Sequence, residues 1–312
     1  MINWHPQHIL APYTSWRIGG PAAMLAEATT PEEGREALTW AQEREMQIAV
    51  LGGGTNTLAL DQGFDGLVLR YRDQRVRIED QGDVGLAHLA AGVPMAGTAR
   101  KLVRQGWAGL EWAEGLPGTL GGAVFGNAGC YGSDIATELT RAWLLVDGAV
   151  EEWPVTRLGF GYRGSVLKKL ALHAQEANEI PVAEAHATAR IAPIILAAEL
   201  RLTRADPAEL AERMRQTAEQ RRAKTPAGQS CGSVFKNPPG ESAGRLIEAT
   251  GLKGTRVGAA KIAEKHANYI VNLGGASSDD VLQLIDLARE RVLREFGIQL
   301  ETEVRILRGK QP

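Results

Sequence analysis

The chain is poor in several residue types and patterns that would otherwise direct a functional reading. It has only two cysteines in 312 residues, Cys130 and Cys231, which agrees with a reducing compartment where thiols stay free. No apolar run approaches the roughly 18 residues of a membrane span. Met1 to Leu10 lack the basic-then-apolar layout of a signal peptide, so a cytoplasmic location is expected. The net charge is −2 and no long basic run occurs, which argues against a nucleic-acid partner. The six histidines (His5, His8, His88, His173, His186 and His266) show no metal-ligand spacing with the two cysteines and no spacing of a catalytic triad. Neither a Gly-Lys-Ser/Thr phosphate loop, a G-x-G-x-x-G fingerprint nor a G-x-S-x-G elbow is present.

Glycine, by contrast, is abundant: 36 residues, against a usual share of about 7%. It clusters at 52–54, 115–122, 126–132 and 159–164, a distribution that points to close approach of backbone to a ligand. Hydrophobic residues at 44% and charged residues at 23% are those of an ordinary globular protein, and the length is enough for two or three domains.

Punctuation along the chain places the elements. Thr30-Pro31-Glu32-Glu33 is a capping box that opens a helix to about Arg44, and a strand from Gln47 to Leu51 runs into the triple glycine. Strands follow around 67–71, Val76 and Leu86, then a helix from Pro94 to Gln105 stopped by Gly106. Segment 107–165 reads as glycine-rich loops between short strands such as 142–146. Asp206-Pro207-Ala208-Glu209 opens a helix to about Arg222 after a domain boundary near 204–206. Helices are predicted at 242–250 and from Ser277/Ser278 to just before Gly297, with a strand at 269–272. The segment 300–306 alternates, with Leu300, Thr302, Val304 and Ile306 on one face and Glu301, Glu303 and Arg305 on the other. The mixture without regular βαβ alternation is α+β.

Four segments carry chemistry. Gly52, Gly53 and Gly54 let backbone N–H groups converge on an anion, with Thr55 and Asn56 adding side-chain donors; a plain glycine turn is the other reading. Gly115 to Gly122, continuing through Asn127 and Gly129, offers donors with little side-chain bulk; paired with 52–57 it suits an extended dinucleotide such as FAD. Arg163, in Phe160-Gly161-Tyr162-Arg163-Gly164, suits a carboxylate or a developing enolate if buried, and is a surface arginine if not. In Gly232-Ser233-Val234-Phe235-Lys236-Asn237-Pro238 a serine stands without a visible base, which points to a proton donor, with Lys236 near enough to stabilise its oxyanion. Cys231 is an alternative donor or a small buried flank of that loop.

These motifs, together with Thr14-Ser15-Trp16-Arg17-Ile18-Gly19-Gly20-Pro21 and the closing 300–305 segment, occur in an order that closely resembles the UDP-N-acetylenolpyruvoylglucosamine reductases, from about Thr14 to Gly309. The resemblance implies a two-lobed FAD-binding part of the vanillyl-alcohol-oxidase type and a C-terminal α+β substrate domain. The expected divisions are 1–66 and 67–205 for the lobes, 206–298 for the substrate domain, and 299–312 for a strand returning to the flavin side. It implies noncovalent FAD on Arg17, Gly52, Gly53, Gly54, Thr55, Asn56, Thr57, Gly118, Thr119, Gly121, Gly122 and Asn127. NADPH is the implied hydride donor, and hydride passes from reduced FAD N5 to C3 of an enolpyruvyl sugar nucleotide.

By the same resemblance Arg163 and Glu303 stabilise the enolate, Glu303 as a neutral acid with a raised pKa, and Ser233 protonates C2. Tyr162, Arg221, Lys224, Lys236 and Asn237 are the implied substrate contacts, and the enzyme is expected to be a monomer without nucleic-acid or membrane partners. Residues 164–220 contain no tyrosine, so the chain resembles the shorter class without a tyrosine-bearing loop. An extra stretch at about 170–192 reads as a surface hairpin or loop. A flavin oxidase of the same fold and a sugar-nucleotide-binding protein without catalysis are the competing readings.

Overall fold

The computed structural model describes residues 1–179 and 192–309. The chain divides into two compact units, each discontinuous in sequence. The first comprises 1–5, 25–53 and 66–220; the second comprises 6–24, 54–65 and 221–312. The content is α+β, as the sequence predicts.

In the first unit an antiparallel sheet runs in the order Ala149–Pro154, Leu139–Val146, Ile194–Arg204, Val84–Ala90, Val76–Asp80, with the short strand Trp107–Ala108 beside the end of Ile194–Arg204. Its central strand is the one most deeply buried: Ile194, Leu196, Ala198, Leu200 and Leu202 are all nearly inaccessible. These residues share one face; the other face is covered only over residues 194–199, so the strand starts as an apolar run and then alternates, with Arg201 and Thr203 exposed. Gln47–Val50 pairs in parallel with Phe64–Tyr71, and the triple glycine follows directly.

The helices of this unit follow their apolar stripes. Pro31–Gln42 starts where Thr30 Oγ1 accepts from Glu33 N at 3.2 Å, the predicted cap. Met95–Arg104 buries Met95, Thr98, Ala99, Leu102 and Val103, the spacing of one helical face. Besides the one-turn helices Ile135–Glu138 and Val155–Leu158, also within the segment read as loops and short strands, two longer helices depart from expectation. Leu120–Gly126 lies inside the block read as loop; burial of Leu120, Ala123 and Val124 outweighs the poor helix propensity of its glycines. Val166–Glu179 occupies the first half of the extra stretch read as hairpin or loop, and the remainder of that stretch lies outside the described residues.

The second unit holds a three-stranded antiparallel sheet (Arg256–Val257, Ala260–Ile262, Ile270–Asn272) with helices Ala243–Ala249 and Ser278–Phe296. Ser277 and Asp280 form a reciprocal capping box on the long helix, and Gly297 ends it in the left-handed region. The core gathers Trp16, Phe235, Leu246, Ile247, Leu284, Ile285, Val292, Leu300 and Val304. Trp16 is fully buried; its indole donates to Ile270 O at 2.7 Å, and Asn272 Nδ2 donates to Trp16 O at 2.8 Å. The predicted alternation of 300–306 is realised only partly as strand: Arg305–Leu307 pairs in parallel with Thr57–Ala59, and Phe235 bridges Thr302. Among the described residues no helix is long and apolar enough to cross a membrane.

Gly54 fits its place through both conformation and space. Its φ is +62°, its carbonyl accepts from Ser15 N at 3.0 Å, and a Cβ there would collide with the Tyr13 carbonyl oxygen. Gly297 has a similar φ of +66° but open space around a Cβ. Denaturant unfolding should therefore show Gly297→Ala costing about 1 kcal/mol, the left-handed penalty alone. Gly54→Ala should cost at least about 3 kcal/mol, because backbone must move as well. Equal costs would contradict this account.

Candidate active site

The first unit joins two of the predicted cofactor segments. Gly52 lies so close to Thr119 that a Cβ would come within 2.7 Å of its Oγ1. Gly122 has only that same hydroxyl near its Cβ position, at 3.8 Å, and Gly126 has nothing within 4 Å. Gly122 and Gly126 thus present main chain with little side-chain cover, whereas Gly121 packs against Ala91, whose Cβ and carbonyl oxygen would lie 3.1 and 3.3 Å from a Cβ there. Asn127 closes the helix in the left-handed region with φ +45°. Its amide donates to Asp134 Oδ2 and to Gly161 O, both at 3.1 Å, tying the glycine block to the arginine motif.

That motif is a tight hairpin. Gly161 and Gly164 exchange backbone hydrogen bonds of 3.1 and 3.2 Å, with Tyr162 and Arg163 at the tip. Tyr162 is exposed, while Arg163 is half-buried, takes φ +54° and donates from Nη1 to Gly129 O at 2.8 Å. Lys168 Nζ donates to the Arg163 carbonyl at 3.2 Å. Arg163 is thus held at its carbonyl by Lys168 and at one guanidinium nitrogen by the glycine block.

The second unit assembles the serine loop, the glutamate segment and the end of the glycine turn. Val234 O accepts from Glu303 N at 2.8 Å, and Lys236 N donates to Glu301 O at 2.9 Å. Asn56 Nδ2 donates to Glu303 O at 3.1 Å, and Asn56 O accepts from Arg305 N at 3.0 Å. Glu303 is therefore bonded to Val234, the neighbour of Ser233, and to the Asn56 side chain. Ser233 is half-buried, and among the described residues its hydroxyl has no hydrogen-bond partner, which leaves it without a base. The Lys236 ammonium pairs with Glu301. Asn237 Oδ1 accepts from Ala243 N at 3.1 Å, at the start of the helix Ala243–Ala249. Arg221 and Lys224 lie in the last turn of Pro207–Lys224. Arg17 is exposed, with φ +58°, and donates from Nη1 to Pro12 O at 2.6 Å. Thr55 precedes Asn56 in the turn, and Thr57 opens the strand Thr57–Ala59, with its carbonyl oxygen 3.4 Å from Cys231 Sγ.

Cys231 is 5% exposed, with its thiol on the carbonyls of Gly54 and Thr57 at 3.7 and 3.4 Å. Burial pushes its pKa up to about 12. That favours its reading as a small buried flank which ties the serine loop to the glycine turn. Arg305 is also deeply set, and burial disfavours its charge.

Two residues of consequence escape sequence reasoning. Trp112 is 6% exposed, and its indole N–H has no hydrogen-bond partner among the described residues. Asn268 is 3% exposed and bonds the serine loop. The Leu110 to Gly115 run gives no hint of the first. The sequence around His266 gives no hint of the second.

The comparisons with known proteins complete this description. A family described as "FAD binding domain" matches residues 22–148, which makes the chain a flavoprotein. Open main chain at Gly122 and Gly126 and a buried, unsatisfied indole donor at Trp112 fit a large ligand rich in acceptors. The family "UDP-N-acetylenolpyruvoylglucosamine reductase, C-terminal domain" matches residues 222–307. The reductase of Chloroflexus aggregans is 50% identical over 98% of each chain, and that of Rubrobacter xylanophilus is 42% identical over 95% of this chain and 92% of its own. The crystal structure of the Thermus caldophilus reductase superposes with a TM-score of 0.77 at 34% identity, covering 98% of each chain. The chain belongs to the UDP-N-acetylenolpyruvoylglucosamine reductase family and is an oxidoreductase with FAD as cofactor.

The raised thiol pKa has a consequence for stability. Between the ordinary value near 9 and about 12, the folded chain keeps a proton that the unfolded chain has released. The contribution is complete below pH 9 and is lost as pH climbs toward 12, by up to about 1.4 kcal/mol per pH unit. Unfolding at pH 8 and pH 10 should show the parent losing more stability than Cys231→Ala; parallel losses would contradict the buried, neutral thiol.

Proposed function

We propose that the enzyme reduces UDP-N-acetylglucosamine enolpyruvate to UDP-N-acetylmuramate in peptidoglycan precursor synthesis, with NADPH as the hydride donor. FAD, held noncovalently, supplies the relay of hydride from NADPH to C3 of the enolpyruvyl group. The protein's own task is then to bind the sugar nucleotide, to stabilise negative charge at C2 and its carboxylate, and to deliver one proton to C2. The reading divides that task among Arg163 and Glu303, which face the developing charge, and Ser233, which donates the proton.

The observation that carries the reading is the hydrogen bond from Glu303 N to Val234 O, 2.8 Å, which holds a carboxyl and a base-free hydroxyl on neighbouring backbones. A serine nucleophile would need an adjacent base, and Ser233 has none among the described residues. Its hydroxyl suits a donor that acts once per turnover and is re-protonated from solvent. The pairing of Arg305–Leu307 with Thr57–Ala59 supports the assignment of 299–312 as a returning strand, and the lobes 1–66 and 67–205 and the domain 206–298 belong to the same proposal. So do Tyr162, Arg221, Lys224, Lys236 and Asn237 as substrate contacts, the cofactor contacts named from the sequence, a cytoplasmic location and a monomeric state.

Separate measurement of the half-reactions tests this. Ser233→Ala should leave reduction of the flavin by NADPH nearly unchanged and slow its reoxidation by the enolpyruvyl sugar nucleotide by at least about 100-fold. Glu303→Gln should slow the same step far more than Glu301→Gln. Equal losses in both half-reactions for Ser233→Ala, or the reverse ranking of the glutamates, would overturn the roles.

A further inference from the structure

We propose that Asn268 is a positioning residue for the proton donor: its side-chain amide sets the backbone of the loop that carries Ser233. The inference rests on the proton-donor reading of Ser233 and adds to it a residue that acts only through that serine.

The geometry is specific. Asn268 Oδ1 accepts from Phe235 N at 2.9 Å, and Asn268 Nδ2 donates to Phe235 O at 2.8 Å. The same residue's carbonyl accepts from Val234 N at 2.9 Å. Asn268 and Phe235 are 3% and 2% exposed, so water cannot replace these bonds. On the opposite edge the 234–236 segment bonds to 301–303 through Val234 O and Lys236 N. Residues 234–236 therefore form the middle line of a ladder. One rail is the segment bearing Glu303, and the other is a single asparagine, through its side-chain amide and its own carbonyl.

A primary amide is suited to that rail because it carries both a donor and an acceptor, matching the N–H and C=O of one residue. Aspartate keeps only the acceptor and would set a charge against Phe235 O. Alanine would leave a buried N–H and C=O unpaired. Asn268 is itself held: its N–H donates to His266 Nδ1 at 3.2 Å, and the strand Ile270–Asn272 begins two residues on.

The clamp bears on chemistry because Ser233 has little else to fix it. Its hydroxyl has no side-chain partner among the described residues, and Gly232 before it, at φ +75°, imposes no side-chain restraint. The direction of the hydroxyl is inherited from Val234 and Phe235. Displacement of about 1 Å at a reacting group costs on the order of 100-fold in rate.

The test is made on the FAD-loaded enzyme with Asn268→Ala, Ser233→Ala and the double variant. Asn268→Ala should slow flavin reoxidation by the enolpyruvyl sugar nucleotide by about 100-fold. Its KM should change less than about threefold, and flavin reduction by NADPH should stay within about twofold. Added to Ser233→Ala, it should slow reoxidation no further, since both act through one group. Hydrogen exchange should rise in a peptide covering 232–237 and not in one covering Ile270–Asn272. If Asn268→Ala does not fold, Asn268→Asp, which keeps the volume and the acceptor, carries the same comparison. Unchanged reoxidation, equal losses in both half-reactions, or additive losses in the double variant would overturn the inference while Ser233→Ala alone still upholds the donor. A Ser233→Ala enzyme with normal reoxidation would overturn both.

Discussion

The backbone ladder through Val234, Phe235 and Lys236 is the constraint on which the chemistry proposed for Ser233 and Glu303 depends. It converts two remote segments, one carrying Ser233 and one carrying Glu303, into neighbours joined by a 2.8 Å hydrogen bond. The Asn56 amide extends the same ladder from Glu303 to the glycine turn. Cys231, whose thiol lies on the carbonyls of Gly54 and Thr57, ties the other end of the serine loop to that turn. A hydroxyl without a base can act as an acid only if its direction is fixed in advance, and here the main-chain ladder and the buried Asn268 amide that clamps it hold the loop that carries it.

The glycines serve a different purpose in each unit. In the first, Gly122 and Gly126 keep main chain bare where the FAD-binding family match falls. In the second, Gly54 lets the turn pass against the Tyr13 carbonyl with its own carbonyl accepting from Ser15. The 52–54 run thus permits two close approaches, of Gly52 to the Thr119 hydroxyl and of Gly54 to the Tyr13 carbonyl.

Much of this was legible from the chain. Thr30, Ser242 and Ser277 announce their helices because caps are local chemistry, and all three accept the backbone bond expected of them. The motif order around Ser233, Arg163 and Glu303 was sufficient to point to the family. What stayed hidden depends on tertiary structure. The helix Leu120–Gly126 reads as loop because glycine is a poor helix former, and its buried face is visible only after folding. The strands Asn3–Ile9 and Pro21–Ala28 lack a clean alternation. Asn268 pairs with a residue 33 positions earlier, a distance at which no periodicity leaves a trace. Lys236, next to the serine in sequence, directs its ammonium to Glu301, which sequence proximity did not reveal.

The most direct test is the structure of the oxidised, FAD-loaded enzyme with the enolpyruvyl sugar nucleotide bound. Ser233 Oγ should lie within about 3.5 Å of C2, the distance of a group poised to react, with the Glu303 carboxyl on the substrate carboxylate. A Ser233 hydroxyl more than about 5 Å from C2, with another donor in its place, would contradict the account.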